Sequence, residues 1–118
     1  MSDDPEDAVD PLAAWSATDV RVGRVVEAEA FPEGRYSTHL LRIDLGPELG
    51  TRKSLARLVP HYAPEDLVGR LVLCNVGLEP RQIGRHRSEV LVLGVPDANG
   101  ETVLVAPERD VPPGGRLH

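Results

Sequence analysis

Basic side chains in this 118-residue chain are almost all arginines, and most of them fall into three stretches. In chain order these residues are Arg35 and Arg42, then Arg52, Lys53 and Arg57, then Arg81, Arg85 and Arg87. The planar guanidinium group donates two hydrogen bonds at once to a phosphate or carboxylate, so such stretches can bind a polyanion. The alternative is that they balance nearby acids. Charge alone does not separate these two interpretations; the acids concerned are Glu33, Asp44, Glu48, Glu79 and Glu89.

Other reactive side chains show no catalytic pattern. No two histidines lie four residues apart with a glutamate between them, and none is near Cys74 in sequence; they are His39, His61, His86 and His118. Cys74 lies in a predicted strand between Leu73 and Val76, where a buried thiol is expected. No glycine-rich phosphate loop occurs. The sequence therefore predicts a non-enzymatic protein with no cofactor and no metal.

The charge is unevenly distributed along the chain. The formal net charge is −6, and residues 1–20 carry six acids and no base, so the remainder is neutral. A GC-rich genome or adaptation to high salt would each explain the scarcity of lysine. A single cysteine excludes an internal disulfide, and no apolar run is long enough for a membrane helix. With no secretory leader, we expect a cytoplasmic protein that does not bind membranes.

Alternating apolar residues predict a chain of short strands with little helix. The predicted strands are 19–30, 39–46, 54–59, 70–77, 88–95 and 101–106. A bulge or bend is expected near Gly23, and residues 80–89 are expected to form a loop. Helical turns are predicted at 12–18 and 64–69, the second between the third and fourth strands.

This pattern predicts an all-β fold, a small barrel or a sandwich, and it suits a five-stranded OB-fold barrel with short helical turns and extensions at both ends. We assign residues 1–11 to an acidic disordered leader and 12–118 to the barrel domain. In such barrels the second and third strands and the loops form the oligonucleotide face. Aromatic residues are scarce, which disfavours single-strand binding by stacking and leaves recognition of a folded RNA through phosphate and shape.

Five segments of the chain resemble a known family. They are DVRVGRVVEAEAFPEGR (19–35), RIDLGPELGTRKS (42–54), YAPEDLVGR (62–70), PRQIGRHRSEVLVLGVPD (80–97) and VLVAPERDVPPGGRL (103–117). In order and spacing they are similar to the CsaA group of tRNA-binding-domain proteins, free-standing relatives of the C-terminal tRNA-binding domain of methionyl-tRNA synthetase. The resemblance implies an OB-fold homodimer that binds tRNA, and it carries a second proposed activity as a chaperone for presecretory polypeptides.

The resemblance and the charge pattern together predict a tRNA-binding face. Four residues match family positions: Arg35, Ser54, Arg81 and Ser88. The charge argument adds Arg42, Lys53, Arg57, Arg85 and Arg87. Glu89, Leu91 and Leu93 also match, and we expect structural roles for them, with both leucines in the core.

Departures from the family pattern favour the alternative of an export-related chaperone with an apolar cleft. The family motif S-S-A-Q is here Ser54-Leu55-Ala56-Arg57, and Gly77 replaces an asparagine. Tyr36 and Leu40 stand where the family commonly has lysines. A third possibility is an accessory tRNA-binding subunit of an aminoacyl-tRNA synthetase.

Apolar residues near the chain ends predict a dimer interface. They are Leu12, Trp15, Val111 and Leu117. A small barrel buries limited apolar area and gains from a shared surface. The alternative is that both ends fold back onto their own barrel.

Overall fold

The computed structural model describes residues 11–118, so the predicted acidic leader, apart from Pro11, lies outside the described residues. The helices are α1 (Pro11–Ala17), α2 (Gly46–Leu49) and α3 (Pro64–Leu67). The strands are β1 (Val20–Ala30), β2 (His39–Asp44), β3 (Thr51–Ala56), β4 (Leu71–Asn75), β5 (Arg81–Ile83), β6 (His86–Ser88), β7 (Leu91–Val92), β8 (Gly94–Pro96) and β9 (Thr102–Leu104).

Five strands form an antiparallel sheet in the order β3-β2-β1-β4-β7. The first half of the long strand β1 pairs with β4 and the second half with β2, so β1 serves both sides of the curved sheet. The two ends of the sheet meet where the backbone N–H of Glu89 donates to the Lys53 carbonyl at 2.8 Å. The result is a nearly closed five-stranded OB-fold barrel, which confirms the predicted fold class.

The barrel interior is filled by alternate residues of the paired strands. Leu41 and Ile43 of β2 and Val72 and Cys74 of β4 are fully buried there. Leu67 of α3 joins the same cluster, so the short helix between β3 and β4 contributes to the core. Period-two alternation places these side chains on the inner face, as the sequence predicted.

The C-terminal segment packs on the outside of the barrel. Val111 lies against a second apolar cluster that contains Val20, Val22 and Leu73. The backbone N–H of Leu117 donates to the Val20 carbonyl at 2.8 Å. The tail therefore covers part of the face formed by β1 and β4 of its own barrel.

The structure moves one local expectation along the chain and overturns another. The bulge expected near Gly23 lies just after it in β1, between Val25 and Glu27. Gly23 is needed for a different reason, because a Cβ atom there would overlap the Ile43 side chain. The stretch 80–89, predicted as a loop, contains the β5–β6 hairpin.

The predicted strand 88–95 is broken into β6, β7 and β8, and one of its expected core leucines is not buried. Leu91 is 48% exposed, whereas its neighbours Val90 and Val92 face the core. The strand is apolar on both faces, so its alternation alone could not tell which face points inward. Leu93 is half-buried against the outer cluster of Val20, Val22 and Leu73.

Candidate nucleic-acid interface

The β5–β6 hairpin is fixed on the outer surface of β3. The backbone N–H of Leu55 donates to Ser88 Oγ at 3.0 Å, and that of Lys53 donates to Glu89 Oε1 at 2.9 Å. Ile83 packs on the apolar cluster of Phe31, Leu40 and Leu55. Both hydrogen bonds and apolar contacts therefore hold the hairpin in one position beside the barrel.

The loop from 31 to 38, between β1 and β2, stands opposite this hairpin. Its base is closed by the Phe31 N–H donating to the Thr38 carbonyl at 2.9 Å. Gly34 lies so close to the Phe31 ring and the Ser37 carbonyl that a Cβ atom would overlap both. This tight turn presents Arg35 and Tyr36, which follow it directly, with exposed side chains.

A groove of about 1140 Å³ lies between the loop and the hairpin. Four of the predicted arginines line it, contributed by three separate segments: Arg35, Arg57, Arg81 and Arg85. Within residues 11–118, none of the four forms an ion pair with a carboxylate. No carboxylate of the described residues therefore competes with an anionic ligand for these guanidinium groups, although Arg57 Nη1 donates to the Tyr36 carbonyl.

The groove is mixed in charge and polarity. Glu33, Glu79 and Glu89 also line it, and the carboxylate of Glu89 already accepts the Lys53 N–H. The wall formed near β7 and β8 is apolar, with Leu91 and Val95 half-exposed along it. A ligand with both anionic groups and flat apolar surface would match this lining.

Three predicted basic site residues do not line the groove. Arg42, on the outer face of β2, pairs with Glu27 of β1 at 3.2 Å, and Lys53 stands opposite it on β3. Arg87 pairs in register with Gln82, while Arg81 and Ile83 pair with Ser88 and His86. Alternation along the hairpin thus turns Arg87 away from the groove.

The two predicted serines serve the barrel itself. Ser54 is fully buried, and its hydroxyl donates to the Val90 carbonyl at 2.8 Å. Ser88 lines the groove, but its hydroxyl accepts the Leu55 N–H and so anchors the hairpin. Ser54 therefore offers no atom to a ligand in the groove, because its side chain is closed off from solvent.

Leu40 and Leu55 expose almost no apolar surface, although Leu55 lines the groove. They face each other directly on β2 and β3 and are only 4% and 6% exposed. Ile83 of the hairpin and Phe31 cover them. Both leucines pack beneath the hairpin and so add little open surface for a polypeptide.

One contact in the groove was missed by the sequence. The Arg57 guanidinium carbon lies 5.5 Å from the centroid of the Tyr36 ring, and its Nη1 donates to the Tyr36 carbonyl at 3.2 Å. In the sequence, Tyr36 stands out as a lost positive charge and as one of three aromatic residues near the basic stretches, with no sign of this partner. Nothing local pairs two residues 21 positions apart on different segments.

Reactive groups elsewhere have structural partners. Burial raises the pKa of the Cys74 thiol to about 12, which leaves it protonated and inert. A hydrogen bond from His61, at 2.6 Å, and then backbone N–H groups of Glu101 and Asn99 lower the pKa of Asp97. Among residues 11–118, no three His, Cys, Asp or Glu side chains converge as a metal site requires.

The predicted dimer residues differ in their surroundings. Leu12 and Trp15 of α1 and Leu117 are exposed, whereas Val111 packs on its own barrel. The described part of the chain contains no helix with the length and apolarity needed to cross a membrane.

An OB-fold barrel whose loops and hairpin gather guanidinium groups beside β3 is typical of nucleic-acid-binding proteins. A family model described as "Putative tRNA binding domain" matches residues 20–116. The chain belongs to this tRNA-binding domain family.

Two relatives are methionine–tRNA ligases, and each matches nearly the whole length of this chain. The enzyme of Methanopyrus kandleri is 35% identical over 116 residues, which cover 98% of this chain and 17% of the ligase. The enzyme of Sorangium cellulosum is 39% identical over 115 residues, which cover 97% of this chain and 16% of that ligase. This chain thus spans about a sixth of the length of these ligases.

Two solved structures share the fold. Chaperone CsaA from Bacillus anthracis superposes with a TM-score of 0.81 at 38% identity, covering 94% of this chain and all of that one. The CsaA chaperone protein of Picrophilus torridus gives a TM-score of 0.85 at 29% identity, covering 93% of this chain and all of the other. The predicted CsaA-type tRNA-binding domain is thereby confirmed.

Proposed function

We propose that this protein binds tRNA without catalysing a reaction, and that the groove beside the β5–β6 hairpin holds the tRNA backbone. One observation carries the proposal: Arg35, Arg57, Arg81 and Arg85 line a single groove without carboxylate partners in the described residues. Phosphate oxygens are the natural acceptors for such guanidinium groups. A tRNA partner also makes the cytoplasm the expected place of action.

Salt dependence tests this proposal directly. Each neutralised phosphate releases counterions, so four contacts give a slope of up to about −3.6 in log affinity against log salt. The measurement is a mobility-shift titration of purified tRNA at several salt concentrations. A flat response would contradict binding through the phosphates.

A double variant locates the site. Arg81→Ala combined with Arg85→Ala removes two donors from the hairpin and is expected to weaken binding by about 1–3 kcal/mol and reduce the salt slope by about two. Arg109→Ala is the matched control, since Arg109 is also exposed but lies outside this groove. Parental affinity in the double variant would show that the tRNA contacts another surface.

The apolar wall of the groove favours a second candidate, binding of an unfolded presecretory polypeptide. Leu78, Leu91 and Val95 line the groove with exposed side chains, and two solved relatives are described as chaperones. Apolar burial is not screened by salt, so this binding would persist at concentrations that release tRNA. An unfolded polypeptide added as a competitor shows whether the two ligands share the groove.

We also propose a homodimer that presents two grooves to one tRNA. The exposed apolar residues Leu12, Trp15 and Leu117 supply a surface for a second copy, while Val111 is already covered. Trp15→Ser is expected to shift the mass measured by sedimentation toward the monomer, with Val26→Ser, another exposed apolar position, as control. A monomeric parent protein would contradict this part of the proposal.

The similarity to methionine–tRNA ligases supports a further role as an accessory tRNA-binding subunit of an aminoacyl-tRNA synthetase. Co-purification of a synthetase with the tagged protein from its own cells tests this role. Recovery of tRNA without any synthetase would argue for independent action.

A further inference from the structure

The most exposed aromatic ring in the groove belongs to Tyr36. Its side chain is 72% exposed and lines the groove beside Arg35. Phe31 also lines the groove, but its ring is buried against Leu40 and Leu55 with the His86 ring at its side. A large apolar ring exposed to solvent has unburied area that a ligand can cover.

Two interactions with Arg57 hold Tyr36 in place. The guanidinium lies over the ring at 5.5 Å from its centroid, and the same side chain donates to the Tyr36 carbonyl. The cation therefore supports the ring and ties its backbone to the end of β3. An oriented ring loses less conformational freedom on binding than a mobile one, so stacking on it is stronger.

The guanidinium groups of Arg81 and Arg85 lie along the same groove. A nucleotide presents a flat base on one side of its sugar and a phosphate on the other. A ring with neighbouring guanidinium groups matches both parts of a nucleotide, and every nucleotide of an RNA carries this pair of base and phosphate.

We propose that Tyr36, supported by Arg57, is a stacking site for one unpaired base of the bound RNA. The inference rests on the tRNA binding proposed above and specifies its substrate: an RNA with a base free to leave its stack. In a duplex both faces of each base are covered by neighbours, so only a loop, bulge or single-stranded end can supply this base. The groove arginines then hold the adjoining phosphates.

The test compares two substitutions at one position. Tyr36→Leu removes the aromatic face but keeps apolar bulk, whereas Tyr36→Phe keeps the ring. Stacking of one base on an aromatic side chain accounts for roughly tenfold in affinity. We therefore expect Tyr36→Leu to bind tRNA about tenfold more weakly and Tyr36→Phe to bind within about twofold of the parent.

A blunt-ended RNA duplex and a short oligouridylate are the matched probes. The duplex should bind the parent and Tyr36→Leu equally, because its internal bases are covered on both faces and contact is made mainly through its backbone. The single strand should lose affinity in Tyr36→Leu as tRNA does. The salt slope should be the same in the parent and the leucine variant, since no phosphate contact has been removed.

Several results would overturn the inference. Equal tRNA affinity in the parent and Tyr36→Leu would show that no base stacks there, while leaving tRNA binding itself intact. An equal loss on the duplex, or a reduced salt slope, would show that the substitution merely displaces Arg57. A parent protein that binds neither tRNA nor oligouridylate would remove both the proposed function and this site.

Discussion

Arginines on two sides of the barrel have opposite environments. In the groove, Arg35, Arg57, Arg81 and Arg85 have no carboxylate partner in the described part of the chain. On the face formed by β1 and the C-terminal tail, arginines are engaged with the protein itself. Arg21 contacts Asp19 at 2.6 Å, Arg24 contacts Asp110 at 2.7 Å, and Arg116 approaches Asp19 at 3.6 Å.

This difference separates arginines that hold the fold together from arginines whose guanidinium groups have no carboxylate partner in the described residues. The β1-side guanidinium groups also donate to backbone carbonyls, Arg21 to Gly114 and Arg24 to Gly69. They connect β1 to distant segments, and the hydrogen bond that Arg21 donates to Asp19 raises the pKa of Arg21. Residue type is therefore a weak guide to function in this chain, and the partner of each guanidinium is the informative property.

The largest expected effect contrasts the interior with the groove wall. Leu41→Asp places a charge in the filled barrel and should unfold the domain, at a cost above about 4 kcal/mol. Leu91→Asp replaces a half-exposed side chain in the groove and should change stability by only about 0.5 kcal/mol. Chemical denaturation measures both, and an unfolded Leu91→Asp would restore Leu91 to the core.

A smaller effect distinguishes two arginines on one hairpin. Arg85→Ala removes a groove donor and is expected to weaken tRNA binding by about 1 kcal/mol. Arg87→Ala, on the opposite face of the same hairpin, should leave the affinity within about twofold of the parent. Mobility-shift titrations compare the two variants. Equal losses would mean that the outer face of the hairpin also contacts RNA.

Replacing an arginine that contacts a carboxylate on the β1 face is expected to lower stability and to leave the affinity for tRNA unchanged. Arg24→Ala breaks the contacts with Asp110 and with the Gly69 carbonyl and should lower the free energy of unfolding by about 1 kcal/mol. Its tRNA affinity should equal that of the parent. The comparison between the two faces would fail if Arg24→Ala lost binding without losing stability.

The smallest effect concerns pH. The pKa of Asp97 is lowered in the folded state. Asp97 therefore stabilises the fold at pH values above its unfolded-state pKa of about 4. This contribution is lost as the pH falls through the lower pKa of the folded state. Asp97→Asn should therefore be less stable than the parent at neutral pH, with the difference shrinking in acid. Thermal unfolding at pH 7 and in strong acid measures this, with Asp66→Asn, an exposed acid on α3, as control.

Much of the fold was accessible from alternation and turn residues. The first four predicted strands overlap β1 to β4, and the helical turn after the third strand appears as α3. The segment after residue 88 was less accessible, because Val90 to Val95 are apolar on both faces of the strand. Only the packing of β7 against β4 shows which of these side chains are inside.

By itself, the sequence determined the family, the barrel and the three basic stretches, because strand alternation and family motifs are local properties of the chain. The tertiary structure decided which arginines are available to a ligand. Arg24 and Asp110 are 86 positions apart, and Arg57 meets Tyr36 across 21. Pairing over such separations is set by barrel closure and strand register, which no local pattern records.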